Sequence, residues 1–152
     1  MVNHLSQNGY MSKQKNNSPY ELEYKAFAKF IRGENIPLES LVVLILKSLV
    51  AIFEMTIRYI PGGIGYTLRY WYYKCTLKHL GKNVLIDVGV FLYGLKNISI
   101  GEYTWIDSGV RIEAMLGEIT IGKRVHIAPY AIVAAREPVI IEDYAAVGAG
   151  AK

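Results

Sequence analysis

The residues from Leu80 to Lys152 predict a mainly β fold, a left-handed parallel β-helix, preceded by an α-helical N-terminal segment. Three observations carry that prediction. An aliphatic residue recurs at every sixth position, and a small or β-branched residue recurs four places after it. The pattern also restarts at Leu80, Ile100, Ile121 and Ile141, at intervals of 20, 21 and 20 residues.

The elements follow in chain order. Met1 to Pro19 is polar, with no apolar core and no small-residue cleavage site. It is expected to be a disordered tail (1–19) rather than a secretory signal. Tyr20 to Arg32 shows helical spacing, with Tyr24, Phe27, Phe30 and Ile31 on one side and Gly33 as a stop. Pro37, a favourable first-turn residue, opens a longer apolar run that ends at Pro61-Gly62-Gly63. A helix from Leu38 to Ile60 is roughly 35 Å long, enough to cross a bilayer. Its charges, Glu39, Lys47, Glu54 and Arg58, fall in a stripe roughly 100° wide. Spanning would put Lys47 and Glu54 in hydrocarbon at about 3 kcal/mol each. The helix is therefore expected to lie in a membrane interface or to pack against protein, with that stripe wet. The stretch Gly65 to His79 is dense in Tyr and Trp, with Arg69, Lys74 and Lys78 interleaved. Such rings suit the headgroup layer of an anionic membrane, and they also suit a cap on the open apolar end of the β-helix. Residues 20–79 form this helical, aromatic segment, and 80–152 the β-helix.

The hexads explain themselves physically. Their first positions run Leu80, Ile86, Leu92, Ile100, Ile106, Ile112, Ile121, Ile127, Val133, Ile141 and Val147. Three six-residue sides close one triangular coil, so these residues point inward and stack on their counterparts above and below. Fifth positions, including Val84, Val90, Thr104, Val110, Val125 and Ala131, face inward beside a corner where only small side chains fit. Gly81, Gly101, Gly122 and Gly148 hold second positions, where a turn is expected to exploit their backbone freedom. The residues in excess of eighteen fall after the third side each time, with Ile98, Ile119 and Val139 in matching places before the next coil. Insertions recurring on one face are a solenoid property. A β-sandwich of alternating strands explains neither the six-residue period nor the coil length.

Composition narrows the function. With 52% hydrophobic and 20% charged residues, the chain is not largely disordered. A net charge of +4 suits an anionic membrane surface or a phosphorylated cofactor; nucleic acid, which it would also suit, is not the expected partner. The lone Cys75 forbids an intrachain disulfide and points to a reducing cytoplasm.

The hexads resemble those of the hexapeptide-repeat acyltransferases, which include maltose, galactoside and serine acetyltransferases and polysaccharide O-acetyltransferases. The leader IPGGIGYTLRYWYYKCTLKHLGKNV looks like that of members associated with surface-polysaccharide synthesis. The resemblance implies transfer of an acetyl group from acetyl-CoA to a sugar hydroxyl of a polysaccharide precursor. It also implies a homotrimer with the donor in the groove between adjacent β-helices, a histidine general base, and backbone amides at the oxyanion. The location implied is the cytoplasm, peripheral to the inner face of the cell membrane through 38–79. The run IEDYAAVGAGAK resembles the stretch that precedes the family's catalytic histidine, which would here follow Lys152, so the chain reads as a truncated enzyme. Within it, His126 at an outward sixth position is the candidate base; His4 and His79 are not. Ala128 and Ala135 stand where the family usually carries Asn and Asp. Asp107 and Glu113 are candidates for the acceptor site, and Lys123, Arg124 and Arg136 for donor phosphates. A γ-type carbonic anhydrase needs three histidines on zinc, so no metal is expected. β-Helical nucleotide-sugar pyrophosphorylases need an upstream phosphate loop that 1–79 lacks. The competing reading is a non-catalytic trimeric scaffold or membrane-docked assembly protein.

Overall fold

A computed structural model describes residues 21–152. The expected polar tail lies outside the described residues. Three helices come first: α1 (Glu21–Ile31), α2 (Leu38–Tyr59) and α3 (Gly62–Thr76). Eleven short strands follow and wind as a parallel solenoid. Its first side is β1 (His79–Leu80), β4 (Ile98–Ile100), β7 (Ile119–Ile121) and β10 (Val139–Ile141). The second side is β2 (Leu85–Ile86), β5 (Trp105–Ile106), β8 (His126–Ile127) and β11 (Ala146–Val147). The third is β3 (Phe91–Tyr93), β6 (Arg111–Glu113) and β9 (Ile132–Ala134). All pairings are parallel, as a left-handed β-helix requires.

The register is the one the hexads dictate. Leu80 pairs with Ile100, Ile100 with Ile121, and Ile121 with Ile141. On the second side Ile86, Ile106, Ile127 and Val147 stack in the same way. Leu92, Ile112 and Val133 do so on the third. The fifth-position residues Val90, Thr104, Val110 and Ala131 are wholly buried between these rows. Each buried aliphatic side chain contributes about 1.5–3 kcal/mol. Thr104 meets its burial by donating from Oγ1 to the Gly122 carbonyl at 2.8 Å, one coil on.

The second-position glycines serve a different purpose from the one expected. None of them has positive φ; the left-handed backbone falls at the fourth position instead, at Asn83, Tyr103, Arg124, Tyr130 and Tyr144 as well as Gly89, Gly109 and Gly150. The corner therefore turns two residues later than the glycines suggest. What Gly81, Gly101 and Gly122 share is proximity. A Cβ on Gly101 would lie 2.6 Å from the Gly122 carbonyl carbon, and one on Gly81 would lie 2.5 Å from the Glu102 nitrogen. Coils stack here backbone on backbone, with no room for a methyl group.

The chain divides into two compact units between Phe53 and Glu54. In the first, Lys47 donates to Glu23 at 2.8 Å. Along α2, Leu41, Val42, Ile45, Leu46 and Leu49 are exposed. Among the described residues α2 is the one helix long and apolar enough to cross a membrane, with mean hydropathy 2.1.

In the second unit α3 packs on β1 and β2. The helix lies within the expected helical segment 20–79, but its buried face is Gly65, Arg69 and Tyr73 rather than an aliphatic row. Tyr73 and Leu77 join the β-helix core, with Tyr70 and Tyr72 against them, so these rings do cap its open end. Arg69 is fully buried. Its guanidinium donates to the carbonyls of Ile86 at 2.8 Å, Ile57 at 3.1 Å and Ile60 at 2.7 Å. It thereby satisfies carbonyls around the end of α2 that have no helical partner and ties them to the first coil. Gly65 lets the chain pass, since a Cβ there would sit 1.8 Å from the Ile60 oxygen. The charged stripe of α2 is not simply wet at this end. Glu54 accepts from the Tyr72 hydroxyl, and Arg58 donates to the Val90 carbonyl at 3.1 Å while lying over Phe91.

Candidate active site

The outward sixth positions of the second side form a ladder: Leu85, Trp105, His126 and Ala146 pair rung by rung. Two residues on, just before each turn, stand Asp87, Asp107, Ala128 and Gly148. Because coils lie about 4.8 Å apart, a side chain on one rung reaches the corner of the next. His126 does so, and its Nε2 lies 2.7 Å from Asp107 Oδ2. Both groups remain open to solvent, at 49% and 27% side-chain exposure, so substrate has access to the pair.

Against an ionised carboxylate, which only accepts, Nε2 is the donor of this bond, and in the neutral ring Nδ1 is then the nitrogen that keeps a lone pair. The imidazole also meets the Trp105 indole edge to face, with centroids 6.3 Å apart. The ring is thus held by a carboxylate and an aromatic wall at once.

The rung before repeats the motif with a different partner. The Tyr66 hydroxyl, from α3, donates to Asp87 Oδ1 at 3.1 Å, and the Val88 amide donates to the same oxygen at 2.7 Å. The bond to Asp87 holds the Tyr66 hydroxyl above its ordinary value; burial and the charges of Asp87 and Asp107 add to this, and Arg69 opposes it. Between α3 and the first two coils is a depression lined by Tyr66, Thr67, Tyr70, Lys82, Asn83, Val84, Leu85 and Trp105. A second depression, lined by Thr120, Gly122 and residues Ile140 to Asp143, has carboxylates but no histidine.

Among the residues expected from sequence, His126 and Asp107 come together. Glu113 lies on the third side, bonded to Arg111 on its own strand. Lys123 and Arg124 are exposed at the corner between the first and second sides, Arg124 lying 5.5 Å from the centre of the Tyr103 ring. Arg136 is exposed beyond the third side, after β9, so the three cations do not converge. Sequence reasoning missed Trp105, Tyr66 and Asp87. Trp105 had a usable signal: it holds the same hexad position as His126, one coil earlier. Tyr66 had none, since its role depends on where α3 docks. Among the described residues no three His, Cys, Asp or Glu side chains cluster to hold a metal ion.

Comparison with known proteins adds one relative. Over 68 residues, 45% of this chain, it is 40% identical to dTDP-4-amino-4,6-dideoxy-D-glucose acyltransferase of Escherichia coli. The match spans 35% of that protein's length. No family model matches the chain, and no solved structure matches it.

Proposed function

We propose that this chain belongs to a hexapeptide-repeat acyltransferase that moves an acetyl group from acetyl-CoA to an amine or hydroxyl of a sugar precursor of a surface polysaccharide. The observation that carries this reading is the 40% identity over 68 residues to a sugar acyltransferase. The β-helix and the oriented imidazole on its outer face are consistent with it. In the proposed step His126 Nδ1 takes the proton of the acceptor N–H or O–H as that atom attacks the thioester carbonyl. The C–S bond breaks, and the imidazolium returns the proton to the departing thiolate. Asp107 steadies the imidazolium that forms between the two events. Lys123 and Arg124 suit the donor's phosphates, since both are exposed and neither side chain pairs with a carboxylate among the described residues. Homotrimer formation would supply the groove for the donor.

The test is thiol release from acetyl-CoA in the presence of dTDP-4-amino-4,6-dideoxy-D-glucose. His126→Ala should lower kcat by about 10²- to 10⁴-fold, the usual worth of a positioned base. Asp107→Asn should cost less while leaving the fold intact. Full activity in His126→Ala removes the assigned base. A trimer that binds no acetyl-CoA and transfers nothing supports the scaffold reading instead.

A cytoplasmic location, peripheral to the inner face of the cell membrane, is part of the same proposal. The exposed apolar surface of α2 supports it, as do Ile64, Leu68 and Trp71 on α3. Flotation with anionic liposomes in low salt should carry the protein up. Protein wholly in the soluble fraction counts against membrane contact.

A further inference from the structure

We propose that the depression between α3 and the first two coils is a seat for a pyranose ring, with the indole of Trp105 as its stacking wall. The inference deepens the transferase reading and rests on it for the class of ligand. Trp105 is 55% exposed although it sits in a regular strand, so its ring is not filling the core. The flanking tyrosines are fixed: Tyr66 is bonded to Asp87, and the Tyr70 hydroxyl donates to the Gly81 carbonyl at 3.3 Å. Lys82 and Asn83 line the same depression, are exposed, and have no side-chain partner among the described residues. Asn83 stands at a corner, in left-handed backbone at φ 54.

These groups match one ligand chemistry. A pyranose has an apolar face of C–H bonds that stacks on an indole, and a rim of hydroxyls that both donate and accept. The Asn83 amide offers a donor and an acceptor, and the Lys82 ammonium offers donors to hydroxyl oxygens. A wholly apolar ligand would leave both unpaired. The position fits the chemistry as well, because the wall that would hold the ring also touches His126. A sugar stacked on Trp105 presents its substituents to the imidazole.

The ladder itself shows that the site can be altered without unfolding. Leu85 and Ala146 hold the same outward position on other coils, so Trp105→Ala keeps a residue type this ladder already accepts. The chain has two tryptophans, and Trp71→Phe leaves Trp105 as the sole one. In that background, titration with free 4-amino-4,6-dideoxy-D-glucose should change indole emission saturably, and coenzyme A alone should not. Asn83→Ala should weaken that binding about tenfold, the loss of roughly one good polar contact. In the transfer assay Trp105→Ala should raise acceptor KM about tenfold or more, with acetyl-CoA KM unchanged. No saturable response to sugar overturns the seat, as does a response that coenzyme A alone produces. Sugar binding without any transfer keeps the seat and overturns the transferase reading. Transfer with an unchanged acceptor KM in Trp105→Ala does the reverse.

Discussion

The β-helix and the helix docked on its first coil are held by opposite means. In the solenoid one inward residue repeats on every side of every coil, so Ile100, Ile106 and Ile112 meet near-identical neighbours above them. In α3 the buried face is used once, with Gly65 for clearance, Arg69 for donors and Tyr73 for bulk. The solenoid spreads its stability over many equivalent contacts. The helix concentrates it in a guanidinium serving carbonyls from α2 and β2. Repetition makes a structure tolerant at any one rung, whereas a single clamp makes it brittle at one residue.

The largest expected effect breaks the clamp. Arg69→Ala should cost about 3–5 kcal/mol in urea unfolding, since it strands several buried carbonyls. Arg69→Lys should not restore the loss, because an ammonium cannot reproduce the planar fork. A cost under about 1 kcal/mol for Arg69→Ala would show that water serves those carbonyls just as well.

A smaller effect sharpens the solenoid side. Gly101→Ala should cost about 1–3 kcal/mol, because its methyl group meets the backbone of the next coil. A cost under about 0.5 kcal/mol would return the glycines to a conformational role. The smallest effect is alkaline. The bond to Asp87 raises the Tyr66 hydroxyl, while burial first and then Glu54 raises Tyr72, and burial raises Tyr73. Each neutral hydroxyl is favoured in the fold, so its contribution is complete below about pH 10. Above that the unfolded chain ionises first and stability falls. Paired Tyr66→Phe and Tyr72→Phe changes should flatten the decline, measured by unfolding across that range.

What could be read in advance follows the same division. The aliphatic rows, the coil length and the corner insertions were all legible, because a repeat states its own geometry and stacking converts spacing into contact. The role of the glycines was not, since tight approach and unusual φ both select glycine, and only coordinates separate them. Helix α3 fell within the helical segment 20–79, but its packing face was not legible, because Arg69 breaks the apolar stripe by which such a face is recognised. The site was half visible. His126 and Asp107 could each be singled out as outward polar residues, but their meeting depends on which corner follows which rung. Trp105 was not singled out, although it shares the hexad position of His126, and the tie between Tyr66 and Asp87 required α3 to be in place.

Stacking by whole coils also makes the second side editable in fixed increments. Excising Ile100 to Thr120 in one piece would lower His126 onto Leu85 without disturbing the direction in which any residue points. The carboxylate waiting at that corner would then be Asp87, which holds the same hexad position as Asp107. The partnership between imidazole and acid would survive the loss of a full coil. The indole beside the imidazole would not, so on this scaffold base and binding wall are separable by a single splice.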